Sequence, residues 1–128
     1  MKESLVAVAL LNYNGWRYTL ECLESLGHLD YPRWYAVVVD NGSTDDSEER
    51  IRAWARGEVK VESAYVRKPG WGKPVQLAEY EGEPPEEQVM EGEAGAKLVL
   101  IRLSENRGFA AGNNFAIRYA LRRGLEWT

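Results

Sequence analysis

The chain has 128 residues, enough for one domain around one core, and its 45% hydrophobic and 28% charged residues are ordinary for a soluble globular protein. The net charge of −4 conceals a division: residues 79–95 hold seven Glu and no Lys or Arg, so the remainder carries +3. A mildly basic body suits a small anionic ligand and falls short of the basic patch that nucleic-acid binding needs.

The first element is the apolar run Leu5 to Leu11. It is far shorter than the ~20 residues of a membrane helix. No small-residue cleavage site precedes the polar Asn12-Tyr13-Asn14, so a secretory signal is not expected either. The run reads as a central parallel strand buried on both faces. Asn12 to Gly15 is a polar turn, with Asn14 as the cap of a helix from Trp16 to Gly27. Trp16, Leu20, Leu23 and Leu26 form its apolar stripe. The single cysteine, Cys22, stands beside Leu23 and is expected to be a buried, inert thiol. A cytoplasmic address follows.

After the break at Tyr31-Pro32, Trp34 to Val39 reads as a second strand, and it stops at an acid, Asp40. Asn41-Gly42 is a hairpin signal, but no strand follows it. Ser43 to about Arg56 reads instead as a helix, with Ser43 or Thr44 as cap and Asp45, Asp46, Glu48 and Glu49 favoured by the dipole in its first turn. Ile51, Trp54 and Ala55 mark its apolar face and Gly57 its end. This order places a carboxylate at the carboxyl end of a buried strand, the edge where open α/β sheets bind ligands.

Val59 to Arg67 and Val75 to Tyr80 have strand character, compatible with a hairpin arm or an irregular insertion. The acidic stretch, rich in Pro and Gly, reads as a solvated loop. Lys97 to Leu103 is a clear strand and Ser104 to Gly108 a turn. A last helix begins at Phe109, with Phe109, Ala116, Ile117, Ala120 and Leu121 on one side and Arg122, Arg123 and Gly124 at its end. Leu125 to Thr128 resembles the approach to another strand. Among the other aromatics, Trp16, Trp34 and Trp54 are expected in the core and Trp71 at the surface, and Trp127 is a candidate for self-association. His28 has no Cys or His nearby to make a metal site.

Alternation of strand and helix predicts a mostly parallel sheet with flanking helices. Three strand ends then point one way, carrying Asn12, Tyr13 and Asn14; Asp40, Asn41 and Gly42; and Asn106, Arg107 and Gly108. A carboxylate, amides, a phenol ring and a guanidinium equip such an edge for a nucleotide.

Val6 to Gly15, Val38 to Ser47 and Glu105 to Asn114 resemble, in this order, three motifs of the family 2 glycosyltransferases of GT-A type, including rhamnosyltransferase-like enzymes. The resemblance covers roughly residues 5–56 and 98–123. It implies a truncated GT-A domain, a Rossmann-like nucleotide-diphospho-sugar transferase fold, spanning residues 1–128 with an insertion at about 59–96. By that resemblance Asp40 accepts the imide N–H of uracil or thymine, which adenine lacks. Asn12 and Tyr13 flank base and ribose, and Asn14 belongs to the same nucleotide-side turn. Asn41 and Gly42 belong to the same nucleotide motif as Asp40. Asn106 and Gly108 close over the nucleoside, and Asn113 lies near the donor. Arg107 is open between a diphosphate contact and an exposed turn arginine. The implied donor is a UDP- or dTDP-sugar, and the implied acceptor a hydroxyl of a polysaccharide, lipid-linked glycan or protein, with inversion.

The family's Asp-x-Asp motif, which holds Mg²⁺ or Mn²⁺ on the diphosphate, has no counterpart here, nor has its general base. The expectation is therefore a donor-binding part of a longer enzyme, inactive alone, whose full protein works in the cytoplasm at the inner face of the membrane. A non-catalytic sugar-nucleotide module or a degenerate glycosyltransferase is the alternative. A phosphoreceiver would need an acid at the first strand end, where Asn12-Tyr13-Asn14 stands, and a nucleotidyltransferase a Gly-rich first loop.

Overall fold

The computed structural model describes residues 5–61, 70–82 and 96–123. Four strands, β1 (Val6–Asn12), β2 (Trp34–Asn41), β3 (Leu77–Glu81) and β4 (Leu98–Leu103), form one sheet in the order β1-β2-β4-β3. Every pairing is parallel. Helices α1 (Trp16–Leu26), α2 (Ser47–Arg56) and α3 (Phe109–Arg123) flank it. This is the α/β architecture the alternating pattern predicts.

The core follows from strand alternation. Trp34, Ala36, Val38, Leu98 and Leu100 face one way, against Leu20 and Leu23 of α1 and Ile51 and Trp54 of α2. Tyr35, Val37, Val39, Val99 and Ile101 face the other way, against Ala116 and Tyr119 of α3. Burial on both faces is why β2 and β4 read as unbroken apolar runs.

Several elements differ from their sequence reading, each for a local reason. β1 lies at the edge of the sheet among the described residues, and Val6 is 42% exposed. β2 holds the two-sided position instead, with all eight residues buried. α2 begins at Ser47 rather than Ser43, because Ser43 and Thr44 are bonded to the β1 loop. Asn14 does not cap α1, where Gly15 stands at the cap without a side-chain bond. Cys22 is exposed. On a helix it lies nearly opposite Leu20, so adjacency to Leu23 does not carry it inward. In α3 the buried side is Gly112, Ala116, Tyr119 and Ala120, while Phe109, Ile117 and Leu121 are exposed. Tyr119 sets that rotation, with its ring edge-on to Tyr35 and tilted against Tyr80.

Val75 to Tyr80 supplies β3, parallel to β4 and at the other edge of the sheet among the described residues. The other half of the possible arm, Val59 to Arg67, falls outside the described residues from position 62, as do most of the acidic stretch and Gly124 to Thr128 with Trp127. The acidic stretch begins as strand, not loop: Glu79 and Glu81 belong to β3. No helix among the described residues is long and apolar enough to cross a membrane.

Trp71 is half-buried, and its ring meets Trp34 and Trp54 edge-on, each at 5.2 Å between centroids. Trp54 has no exposed surface, and its Nε1 donates to the buried Glu24 carboxylate at 2.8 Å. Trp54→Ala removes this ring and leaves Glu24 without that donor. It is expected to lower stability by about 3–5 kcal/mol, seen as a lower urea midpoint. A change within about 0.5 kcal/mol would contradict the packing.

Candidate functional site

Parallel pairing brings the carboxyl ends of β1, β2 and β4 to one edge. The register aligns Asn12 with Asp40, Asp40 with Arg102, and Arg102 with Glu81. A polar row thus crosses the sheet one step beyond the Val38–Leu100 layer. It lies on the α1/α2 face, since side chains two apart share a face.

Asp40 is fully buried. Its Oδ1 accepts from Asn12 Nδ2 at 2.9 Å and from Ser43 Oγ at 2.5 Å. Its Oδ2 is buried with no donor among the described residues. Asn12, also buried, is held in turn by Thr19, whose hydroxyl donates to Asn12 Oδ1 at 2.6 Å. Asn12 therefore orients the carboxylate.

Asn14 has a left-handed backbone, with φ of 48°. Its side-chain oxygen accepts from the backbone N–H groups of Thr44 and Asp45, at 2.8 and 3.1 Å, and its Nδ2 donates to Thr44 Oγ1. Its own N–H donates to Ser43 Oγ. The two loops after β1 and β2 are thus laced together. Asp45 Oδ1 accepts from the N–H of Ser47, and Asp46 pairs with Arg50, so both acids serve the start of α2.

Asn41 turns to the other face. Its Nδ2 donates to Asn106 Oδ1 and to the Gly108 carbonyl, at 3.2 and 3.1 Å, and its Oδ1 accepts from the Arg107 N–H at 3.0 Å. The carboxamide is spent on holding the β4–α3 loop. Gly42 completes the junction: its φ is +73°, and a Cβ there would collide with the backbone of Glu105 and Asn106. Gly112, one turn into α3, lies against Leu11 and the Asn41 side chain, so its small size serves helix–strand packing.

Of the remaining residues expected at the site, Tyr13 is 48% exposed, Arg107 and Gly108 are exposed on the loop, and Asn113 is half-buried on α3. All ten expected residues, from Asn12 to Asn113, belong to strand ends, loops or a helix start at this edge.

Sequence reading gave Ser43 and Glu48 only to the start of a helix and passed over Thr19 and Arg102. Arg102 carried a signal: it follows Leu98 and Leu100 at a spacing of two, a charge on the inward face of an apolar strand. Glu48 projects from the first turn of α2. Its carboxyl pKa is raised, chiefly by burial and then by the neighbouring Asp40 carboxylate; Arg52 and Arg102 oppose the rise.

The model of the family described as Glycosyl transferase family 2 matches residues 7–77 of this sequence. The chain belongs to this family. No curated protein matches it. The family 2 match runs from β1 to the start of β3, so it contains Asn12 to Asn14 and Asp40 to Gly42. The loop and helix from Asn106 to Asn113 lie beyond it.

Asn41→Ala tests the clamp. It removes three hydrogen bonds and is expected to cost about 1–3 kcal/mol. Amide hydrogen exchange should accelerate at Arg107 and its neighbours more than in α1. Equal acceleration everywhere would show that Asn41 does not act locally on this loop.

Proposed function

We propose that the chain binds the nucleotide of a sugar donor, UDP- or dTDP-linked, with the pyrimidine base against Asp40. The observation that carries this reading is Asp40 Oδ2, a buried carboxylate oxygen without a donor at the carboxyl edge of a parallel sheet. A uracil or thymine imide N–H supplies the hydrogen such an oxygen lacks. Tyr13 offers an exposed ring for the base, and Arg107 and Asn113 stand on the loop and helix start where a diphosphate or sugar would lie. In the intact protein the bound sugar passes to an acceptor hydroxyl of a glycan, a lipid-linked saccharide or a protein, at the cytoplasmic face of the membrane.

Family membership also implies Mg²⁺ or Mn²⁺ on the donor diphosphate. The described residues do not fit one. No group of three His, Cys, Asp or Glu among them could hold a metal ion. Glu48 and Glu79 are paired with Arg52, and Asp40 offers only Oδ2, since its Oδ1 accepts from Asn12 and Ser43.

The test is an amide NMR titration with UDP, dTDP, GDP and ADP. UDP and dTDP are expected to shift resonances at Asn12, Tyr13 and Asp40, and ADP, whose base has no imide N–H, to do so far less; GDP, a larger base with a ring N–H, separates ring size from donor chemistry. Asp40→Asn keeps the shape but points an N–H at the base. It should weaken UDP by about 10–100-fold, the value of a charged hydrogen bond. Equal shifts with ADP would overturn the assignment of the base.

A further inference from the structure

A cleft of about 530 Å³ opens between the first turns of α1 and the chain just after α2, residues 59–61. That volume falls within the range of small-ligand sites, roughly 300–1,000 Å³. Asn12, Asp40 and Asn106 do not line it, so it is distinct from the carboxyl-edge site. Its floor is apolar: Leu20 is buried there, and Trp16, Val59 and Val61 pack against the same core. Its rim is polar, with Arg17, Tyr18 and Glu21 from α1 and Lys60 from the facing chain.

Glu21 is four positions from Arg17 and three from Tyr18, so it neighbours both on the helix surface. Arg17 and Glu21 have the spacing of a helical ion pair, yet the pair is not made. The Arg17 guanidinium lies instead 5.2 Å from the centre of the Trp16 ring. Arg50 approaches the same ring at 4.8 Å. With Trp16 taken up by guanidinium groups, Tyr18, 79% exposed, is the aromatic surface left free at the cleft. Among the described residues neither Glu21 nor Lys60 has a hydrogen bond or an ion pair. The rim therefore holds open donors and an open acceptor beside a free aromatic ring.

This set of groups selects among ligands. An anion suits Arg17 and Lys60 but meets Glu21 beside them, and a cation meets the reverse. A neutral polyol suits all three. Each hydroxyl can donate to the carboxylate and accept from a guanidinium or ammonium group, and every such bond is charge-assisted. The C–H face of a sugar ring packs on an aromatic face, which carries the negative side of its quadrupole.

We propose that this cleft is a saccharide-binding site, taking one ring with its C–H face on Tyr18 and its hydroxyls shared among Glu21, Arg17 and Lys60. Resting on the glycosyl-transfer reading above, that ring is a non-reacting unit of the acceptor glycan. α1 starts two residues after Asn14, whose N–H is bonded to Ser43, itself bonded to Asp40. The cleft thus adjoins the donor-binding turn without sharing its residues. Binding energy from a remote, non-reacting unit serves to hold and orient the reacting end.

The experiment is an amide NMR titration of the whole chain with three neutral trisaccharides, maltotriose, cellotriose and triacetylchitotriose, and with inorganic phosphate, each with and without UDP. At least one trisaccharide is expected to shift Arg17 to Glu21, Lys60 and the Trp16 indole, and to leave Asp40 unmoved. Glu21→Gln should weaken its binding about tenfold. Tyr18→Ala, at a side chain too exposed to disturb the fold, should weaken it about fivefold. UDP should shift its own residues equally with the cleft empty or filled. No shift with any of the three sugars, or shifts unchanged in both variants, would overturn the site. Phosphate acting on the same residues, more strongly in Glu21→Gln and with no response to the sugars, would make this an anion cleft and overturn the saccharide. Mutual exclusion of sugar and UDP would put the sugar in the donor site and overturn a separate subsite. Sugar binding by a chain that binds no UDP would refute the donor reading and the acceptor assignment, and would uphold the cleft as a sugar site.

Discussion

A carboxylate with no exposed surface has to be held by donors, and in this chain the two donors come from separate segments, one of them braced by a third. Asn12 reaches it from the end of β1, Ser43 from the turn after β2, and Thr19 fixes Asn12 from α1. The burial of Asp40 therefore constrains how β1 lies against β2, where α1 begins and how the second turn folds. Asn14 adds the lacing between the two loops. Moving any of these would strand a polar group, at about 1–3 kcal/mol each. The rest of the edge is arranged around that fixed point.

The two faces of the sheet divide the work at this edge. On the α1/α2 face lie Asp40, Arg102, Glu79 and Glu48, a charged layer continuing from the apolar one below. On the α3 face Asn41 ties down the loop that follows β4. α2 leaves β2 toward one face and α3 leaves β4 toward the other. Such a divergence opens the crevice where α/β sheets bind ligands. Neighbouring residues Asp40 and Asn41 serve opposite faces because strand side chains alternate. One presents an unmet acceptor, and the other is consumed in structure.

Much of this was legible in the sequence. Strand–helix alternation, the acid at the end of Trp34 to Val39, and the three polar strand ends are local features, and each appears where its residues are. What was not legible depended on partners distant in the chain. Ser43 and Thr44 look like helix caps, but they bond to Asn14, some thirty positions away, and the helix starts later. The face of α3 turned on one tyrosine meeting two others from different strands. β1, as apolar as β2, lies at the sheet edge among the described residues, because hydrophobicity does not encode strand order. The charged partners of Asp40 were missed for the same reason: Glu48 and Arg102 are unremarkable until β2, β4 and α2 are packed together.

Whether Asp40 accepts the imide hydrogen of a pyrimidine base is decided by comparing UDP with its N3-methyl analogue, which keeps ring, ribose and diphosphate but has no N3–H. Wild type is expected to bind the methylated nucleotide about 10–100-fold more weakly than UDP, and Asp40→Ala to bind both alike. Equal affinity of wild type for the two would contradict that contact, and would mean that the buried carboxylate serves the fold alone.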